Sequence, residues 1–350
     1  MTDIRVALIG YGLGGRSFHA PMLLAAPGMR VAYVVTANPE RAAHARQDIP
    51  GVVVVPDPAQ LWQRSEIDLV VISTPNRTHV PLAMAAIDAK FPVVVDKPLA
   101  ATSADGARVV AAARKAGVFL TVYQNRRYDG DFRTLQGLLA DNALGRVHRF
   151  ESRFERWRPA PKPGWRESSN PEDAGGLLYD LGSHLIDQAI ALFGRPTHVY
   201  AEVRTLRRNV TVDDDVFLAL THENDVQSHL WTSMLAAEQG ARLRVLGDRA
   251  MYTKFGMDPQ EVALRNGQRP RTSGWGIEDE KHWGTLADDD GDRPVRTLPG
   301  DYTQFYADVA SALREGTPAP VNPDDAIATL QVIEAAQRSA RERVIVPLAT

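Results

Sequence analysis

Apolar and polar residues follow two different patterns along this chain, and the change falls near residue 125. Before it, short runs rich in β-branched residues are separated by alanine-rich stretches of helical character. Several runs are apolar at every position, as is typical of parallel strands that helices cover on both faces. The predicted strands are Arg5–Ile9, Met29–Thr36, Val52–Val55, Leu69–Ser73, Val93–Asp96 and Phe119–Val122. Strands alternating with helices predict an α/β domain over residues 1–125, built on a doubly wound parallel sheet.

Capping residues mark helix starts in this first part. Asn38, Asp57 and Thr102 each stand just before a stretch of helical character. Their side-chain oxygens can accept a hydrogen bond from a backbone N–H that the first helical turn leaves unpaired. We therefore expect helices to begin directly after these three positions.

Between residues 126 and 350 the pattern is different. Val147–Arg158 alternates apolar and polar residues, which is typical of a strand with one face in water. The same pattern predicts strands near Val199–Leu206, Val216–Thr221, Gln227–Trp231 and Arg242–Leu246, and helical spacing predicts Asp131–Leu139, Leu181–Phe193, Tyr302–Arg314 and Asp324–Arg341. Consecutive strands without crossover helices predict an antiparallel sheet in an α+β domain. Residues 258–300 are expected to form a long surface excursion with no assigned role.

Composition and charge exclude several classes of protein. The chain has 350 residues, of which 44% are hydrophobic and 24% charged, as in an ordinary globular protein of two domains. A net charge of −3 provides no basic field for nucleic acid or anionic lipid. The absence of cysteine excludes disulfides and thiolate nucleophiles. Neither an export signal nor an apolar run of the ~18 residues that span a bilayer is visible, so we expect a soluble, cytoplasmic protein.

A glycine-rich turn follows the first predicted strand directly. Its sequence matches G-x-G-x-x-G, in which glycine lets a pyrophosphate approach backbone N–H groups at a helix start. Such a turn can also be purely structural, but the strands that follow favour dinucleotide binding. The residues assigned to it are Gly10, Gly12, Leu13, Gly14 and Gly15.

The end of the second strand bears on the choice of cofactor. An NAD site usually places an acidic side chain here to accept from the ribose 2′-hydroxyl. Thr36 stands at this position instead, and Arg41 follows one helical turn later, where it can face a 2′-phosphate. A solvated helix residue is an equal alternative for Arg41, while Asn38 is best explained as a helix cap. We predict NADP as the preferred cofactor and keep NAD as the alternative.

Lys97 follows the fifth predicted strand at its carboxyl end, where ligands of open α/β sheets collect. Lysine is scarce in this arginine-rich chain, and an ammonium can share a proton with an alcohol, whereas a guanidinium stays charged. A catalytic lysine and a salt-bridged surface lysine are both compatible with this position. Pro98 fixes the backbone after it.

A second polar constellation lies in the segment Gly175–Asp187. On a helix, Asp180, His184 and either Asp187 or Gln188 share one face. A neutral imidazole at His184 is suited to accept the proton of an alcohol, with Asp180 orienting the ring. A lone helical histidine is usually structural, and a metal site built on these carboxylates is disfavoured, so no metal is predicted.

Taken together, these motifs resemble the Gfo/Idh/MocA family, which includes glucose–fructose oxidoreductases and inositol dehydrogenases. The resemblance covers the whole chain and rests on Gly10–Gly15, Pro75 with His79, Asp96-Lys97-Pro98, and Asp180 with His184. Tyr123–Phe132 and Trp165–Glu167 resemble the branch of NADP-dependent scyllo-inositol 2-dehydrogenases. One departure is Asp96, because the family usually has glutamate before the Lys-Pro pair.

The resemblance implies an N-terminal Rossmann domain, a second domain with a large open sheet, and a homodimer or homotetramer packed through sheet faces. It implies Lys97, Asp180 and His184 as the catalytic set. Substrate contacts are expected from Asn125, Arg127, Trp165 and Tyr302. Along the cofactor it places Thr74, Pro75, Asn76, His79, Asp96 and Lys97, in addition to the glycine turn, Thr36 and Arg41.

The resulting hypothesis is an NAD(P)-dependent oxidoreductase acting on a secondary hydroxyl or keto carbon of a cyclitol or sugar, most similar to a scyllo-inositol 2-dehydrogenase. One alternative is a sugar or anhydro-sugar reductase of the same family. Another is a catalytically silent nucleotide-binding regulator. The fold does not separate these activities.

Overall fold

The computed structural model describes residues 2–161 and 164–348, which form two compact units. The first unit contains the chain up to Asn125 together with Gln260–Trp275 and Asp301–Ile327. The second contains Arg126–Pro259, Gly276–Gly300 and the residues from Ala328 onward. Two later segments therefore return to the first unit.

The first unit is built on a six-stranded parallel sheet. Its strands are β1 (Ile4–Ile9), β2 (Met29–Val35), β3 (Val53–Val55), β4 (Leu69–Ile72), β5 (Val93–Asp96) and β6 (Leu120–Tyr123). They are arranged in the order β3-β2-β1-β4-β5-β6, and every neighbouring pair is parallel. The order reverses between β1 and β4, where loops at the carboxyl ends diverge and leave room for a ligand. The predicted doubly wound sheet is confirmed.

Helices of the first unit begin where the capping residues predict. The helices are α1 (Ala20–Ala25), α2 (Pro39–Asp48), α3 (His79–Asp88), α4 (Ser103–Ala116), α7 (Gln260–Arg265) and α8 (Tyr302–Glu315). Asn38 Oδ1 accepts from the Arg41 N–H at 2.9 Å, and Thr102 Oγ1 accepts from the Asp105 N–H at 3.1 Å. Asp57 caps a single 3₁₀ turn through the Ala59 N–H at 2.8 Å. All three predicted caps are confirmed, although the element after Asp57 is shorter than a helix.

The second unit is built on a nine-stranded sheet. Its strands are β7 (Val147–Glu155), β8 (Pro196–Arg204), β9 (Asp215–His222), β10 (Gln227–Ser233), β11 (Leu243–Gly247), β12 (Met251–Lys254), β13 (Gly284–Asp288), β14 (Gly291–Val295) and β15 (Val346–Pro347). They follow the order β14-β13-β12-β11-β7-β10-β9-β8-β15. Only the β7–β10 pair among these is parallel, so the predicted mainly antiparallel sheet is confirmed. The unit also contains α5 (Gly130–Ala140) and α6 (Ser183–Phe193), while α9 (Pro323–Glu342) begins in the first unit and continues into the second.

The expected surface excursion at residues 258–300 is wrong. Part of it forms α7 in the first unit, and β13 and β14 extend one edge of the second sheet. These strands are short, and Pro294 lies in the edge strand β14, where a missing N–H costs no ladder bond. Glycine and proline therefore gave a loop-like composition to a regular hairpin.

Within the described residues, no helix has both the length and the apolar character that crossing a bilayer would require.

Candidate active site

The turn after β1 requires glycine at two positions. Gly10 has φ +98°, and a Cβ built there would lie 2.2 Å from the carbonyl oxygen of Ser73. A Cβ on Gly15 would lie 2.1 Å from the carbonyl oxygen of Gly10. Both approaches are far below van der Waals contact, so only glycine allows this turn to pack against the end of β4. The compact backbone that results fits the cradle of a dinucleotide pyrophosphate.

Arg41 reaches back to this turn from the first turn of α2. Its Nη1 atom lies 3.7 Å from a Cβ built on Gly12. The position of Arg41 is fixed because its backbone N–H is the one that Asn38 caps. Thr36 Oγ1 accepts from the Asn38 N–H at 3.3 Å, so the end of β2 carries a hydroxyl rather than a carboxylate. A positive charge therefore stands beside the glycine turn, as the sequence predicts for an NADP site.

His79 links the two loops that follow β4 and β5. The ring is buried, with Nδ1 2.8 Å from the carbonyl oxygen of Pro98 and Nε2 2.9 Å from that of Thr74. Burial lowers the pKa of His79, which favours the neutral ring. The Lys97-Pro98 peptide bond is cis. His79 thus sets the spacing between the Thr74 loop and the backbone next to Lys97.

Pro75 and Asn76 lie between Thr74 and His79, at the start of a 3₁₀ turn over Asn76–Thr78. Asn76 is buried. A direct contact of these residues with a cofactor stays a prediction, as it does for Leu13 and Thr36.

Asp96 ends β5 and holds several groups at once. Its Oδ1 accepts from the Lys97 backbone N–H at 2.9 Å, and its Oδ2 accepts from Ser73 Oγ at 3.2 Å. The same Oδ2 lies 3.2 Å from His19 Nε2. Burial raises the pKa of the Asp96 carboxyl, but the nearby side chains of His19, His79 and Lys97 outweigh burial and hold it below its usual value. The carboxylate beside Lys97 is therefore ionised at neutral pH.

His184 lies in the first turn of α6, in the second unit, and is buried. The ring of Phe154 packs edge-on against it, with centroids 6.2 Å apart. Asp180 lies just before it, in a π-helical turn over Leu178–Gly182, and its Oδ1 accepts from Arg166 Nε at 3.0 Å. Asp180 is charge-paired with Arg166, and its action on His184 stays a prediction.

Asp213 anchors the segment that carries Asp180. Its Oδ2 accepts from the Leu178 N–H at 2.6 Å, and a Cβ on Gly176 would lie 2.1 Å from its Oδ1. Burial raises the pKa of Asp213 to about 6. Sequence reasoning missed this residue, because it is 35 positions away from the backbone group that it binds.

A buried polar network holds α6 in place. Arg127 donates from Nε and Nη2 to the two carboxylate oxygens of Asp187, at 2.8 and 2.7 Å. Gln188 Nε2 donates to the carbonyl of Arg126 at 2.8 Å and its Oε1 accepts from Arg242 Nη2 at 2.8 Å. Asp187 therefore holds the guanidinium of Arg127 in place. The bidentate pair ties the turn Asn125–Tyr128 to the helix that carries His184.

The four residues expected to contact substrate fall in both units. Asn125 and Tyr302 belong to the first unit, and Arg127 and Trp165 to the second. Tyr302 is fully buried at the start of α8, and its N–H donates to Gln260 Oε1 at 2.8 Å. Trp165 begins a 3₁₀ turn, but its side chain lies outside the described part of the chain. Their contacts with substrate stay predictions.

Both parts of the chain match known protein families. Residues 4–124 match the oxidoreductase family NAD-binding Rossmann fold, GFO_IDH_MocA. Residues 136–348 match the oxidoreductase family C-terminal alpha/beta domain, GFO_IDH_MocA_C. An oxidoreductase from Bacillus cereus, among solved structures, has a TM-score of 0.90 at 28% identity, with 99% of each chain covered.

Two curated relatives extend over the whole chain. The uncharacterized oxidoreductase YdgJ of Escherichia coli is 41% identical over 354 residues, which cover 100% of both chains. The scyllo-inositol 2-dehydrogenase (NADP(+)) IolW of Bacillus subtilis is 34% identical over 347 residues, covering 98% of this chain and 95% of the relative. The chain therefore belongs to the Gfo/Idh/MocA family and is an NAD(P)-dependent oxidoreductase.

Proposed function

We propose that this enzyme transfers a hydride between a nicotinamide cofactor and a secondary hydroxyl carbon of a cyclitol or sugar, with scyllo-inositol as the first candidate substrate. The observation that carries this proposal is His184, a buried imidazole at the start of α6, in a chain whose whole length is similar to a scyllo-inositol 2-dehydrogenase. Because such an enzyme depends on a recycled pool of nicotinamide cofactor, we assign it to the cytoplasm.

Oxidation of an alcohol removes a hydride from carbon and a proton from oxygen. A bound nicotinamide supplies the hydride acceptor at its C4 atom. We assign the proton to His184, since imidazole exchanges protons near neutral pH. Lys97 donates a hydrogen bond to the same hydroxyl oxygen, and Asp180 stabilises the protonated imidazole. In the reverse direction His184 returns the proton to the alkoxide oxygen while the hydride returns to carbon.

The remaining hydroxyls of the substrate need fixed polar partners. We assign Asn125, Arg127, Trp165 and Tyr302 to this role. Arg127 is suited to it because Asp187 holds its guanidinium in one orientation, which reduces the entropy lost on binding.

A substrate panel tests the proposal. Inositol isomers, aldoses, keto-sugars and anhydro-sugars are each mixed with NADP or NAD, and the absorbance of the reduced cofactor is followed. We expect the highest kcat/KM with scyllo-inositol and NADP, or with its keto form and NADPH. A higher kcat/KM with an anhydro-sugar would indicate an anhydro-sugar reductase instead. If no compound of the panel is oxidised or reduced although the cofactor still binds, the proposed activity is contradicted and a regulator is favoured.

We further propose that NADP is the preferred cofactor. Arg41 stands beside the glycine turn, and Thr36 provides a hydroxyl where an NAD site usually has a carboxylate. A guanidinium there attracts a 2′-phosphate, and a carboxylate would repel it.

Arg41→Ala is expected to raise the KM for NADP about 10-fold or more, because a charge-assisted hydrogen bond contributes about 1.5–3 kcal/mol. The KM for NAD should stay nearly unchanged. Steady-state kinetics with each cofactor measure both values. Arg46→Ala, which removes another exposed arginine of α2, is the matched control. An equal loss with both cofactors would contradict recognition of the 2′-phosphate by Arg41.

One face of the nine-stranded sheet is rich in aromatic residues. Phe217 and Trp231 lie opposite each other on β9 and β10, with ring centroids 5.1 Å apart, and the Arg153 guanidinium lies 3.9 Å from the centre of the Trp231 ring. They alternate with the buried Leu218 and Leu230 on the opposite face. We propose that a second copy of the chain covers this aromatic face in a homodimer or homotetramer.

Sedimentation equilibrium tests this assembly. The wild-type protein should have a dimer or tetramer mass, and Trp231→Glu should shift it towards the monomer, because the change buries a charge in the contact. A monomeric wild-type protein at micromolar concentration would overturn the proposal.

A further inference from the structure

His19 connects three segments of the first unit. It ends the π-helical turn Gly14–His19 that follows the glycine motif, and its side chain is fully buried. Its Nδ1 lies 2.6 Å from Tyr306 Oη on α8. Its Nε2 lies 3.2 Å from Asp96 Oδ2 at the end of β5. One imidazole thus joins the helix after the cofactor turn, the returning helix α8 and the strand that leads to Lys97.

Two side chains flank the imidazole of His19. Nδ1 shares a hydrogen bond with Tyr306 Oη, and burial raises the pKa of that phenol well above its usual value, so the phenol stays protonated. Nε2 faces the Asp96 carboxylate at 3.2 Å, a close polar contact without hydrogen-bond geometry. Tyr306 therefore holds one side of the His19 ring, and the other side lies against Asp96.

Aromatic rings hold the imidazole in this position. Tyr123 lies 4.3 Å from it between ring centroids and stacks on Tyr306 at 5.8 Å. Phe305 packs edge-on against Tyr123 at 4.9 Å. A ring confined on these sides keeps one rotamer, which holds Nε2 at a fixed place beside Asp96.

Asp96, which His19 contacts, also lies close to Lys97 and to the glycine turn. The second oxygen of Asp96 accepts from the Lys97 N–H at 2.9 Å. A Cβ built on Gly14 would come within 3.2 Å of Asp96 Oδ2. The carboxylate therefore lies between the cofactor turn and the backbone that carries the lysine.

We propose that His19 is a positioning residue: held by Tyr306, its ring lies against Asp96 and, through that carboxylate, fixes the backbone of Lys97. This inference rests on the role proposed above for Lys97. Neither His19 nor Tyr306 contacts the reacting atoms in this account.

The test measures kcat, KM for substrate, cofactor dissociation constant and the pH profile of kcat for three variants. His19→Ala should lower kcat about 10- to 100-fold, the order expected for a misplaced catalytic group, with cofactor affinity within about 3-fold of wild type. His19→Gln, which keeps a polar side chain beside Asp96, should recover most of the loss. Tyr306→Phe should give an intermediate kcat.

The pH profile separates positioning from a merely structural role. The acidic limb of kcat belongs to the proton acceptor, which we assign to His184, and His19 acts only through Asp96. His19→Ala should therefore lower the plateau of kcat and leave the acidic limb in place, and His19→Gln should restore most of the plateau. His222→Gln changes another buried histidine, bonded to Gly194 and Ser228 in the second unit, and should leave both plateau and limb unchanged.

Failure of this inference is distinguishable from failure of the proposed function. If Lys97→Met is inactive while His19→Ala keeps wild-type kcat, the positioning role is wrong and the role of Lys97 stands. If Lys97→Met keeps wild-type turnover, the role of Lys97 itself is wrong, and the inference falls with it. Should His19→Ala fail to fold, His19→Gln and Tyr306→Phe decide: unchanged kcat in Tyr306→Phe together with a loss in His19→Gln as large as that in Lys97→Met overturns the positioning role of His19.

Discussion

His184→Ala is expected to lower kcat at least about 100-fold, the low end of the contribution of a general acid or base. The proton of the alcohol must leave as the hydride does, and water that fills the place of the ring is a poorer acceptor in a partly desolvated site. KM should change much less, because the imidazole acts on the proton in transit more than on the bound substrate. Single-turnover and steady-state kinetics measure the two effects.

The control for this prediction is a second histidine of the same unit. His198 is exposed on β8, and its side chain bonds to the neighbouring Thr197. His198→Ala should keep wild-type kinetics. Turnover of His184→Ala within about 3-fold of wild type would remove this residue from proton transfer.

Gly10→Ala is expected to abolish cofactor binding and to lower the free energy of unfolding by about 2 kcal/mol or more, as substitutions at strained backbone positions do. Two costs add here. The backbone has φ +98°, which disfavours a side chain, and the new Cβ would meet the Ser73 carbonyl oxygen at 2.2 Å. Relieving that clash displaces the turn from the end of β4.

Gly117→Ala separates these two costs. Gly117 also has a positive φ, +64°, at the C-terminal cap of α4, but no described heavy atom lies within 4 Å of a Cβ there. Its loss should be about 1 kcal/mol, with cofactor affinity unchanged. Chemical denaturation and cofactor fluorescence titration measure both variants. If Gly10→Ala binds the cofactor as tightly as Gly117→Ala does, the glycine turn does not hold the pyrophosphate as proposed.

Local chemistry made much of the first unit predictable. The glycine turn is a short sequence motif, and the cap at Asn38 depends on a contact with Arg41, three residues later. Parallel strands that are covered on both faces also appear in the sequence as continuous apolar runs. The open sheet of the second unit followed from alternation, except at β13 and β14, where short strands with glycine and proline resemble loops.

Long-range contacts explain what the sequence did not reveal. His19 and Tyr306 are 287 residues apart, and only the return of α8 to the first unit brings them together. Arg127 and Asp187 are 60 apart. No residue pattern within a short window encodes these pairings.

The central claim is that Lys97 and His184 act on the same oxygen in one chemical step. The most direct measurement is kcat/KM for Lys97→Met, His184→Ala and the double variant. Groups that act as one unit are non-additive, so the double variant should be no more than a few-fold worse than the poorer single variant. A loss in the double variant equal to the product of the two single losses would show independent roles and contradict the account.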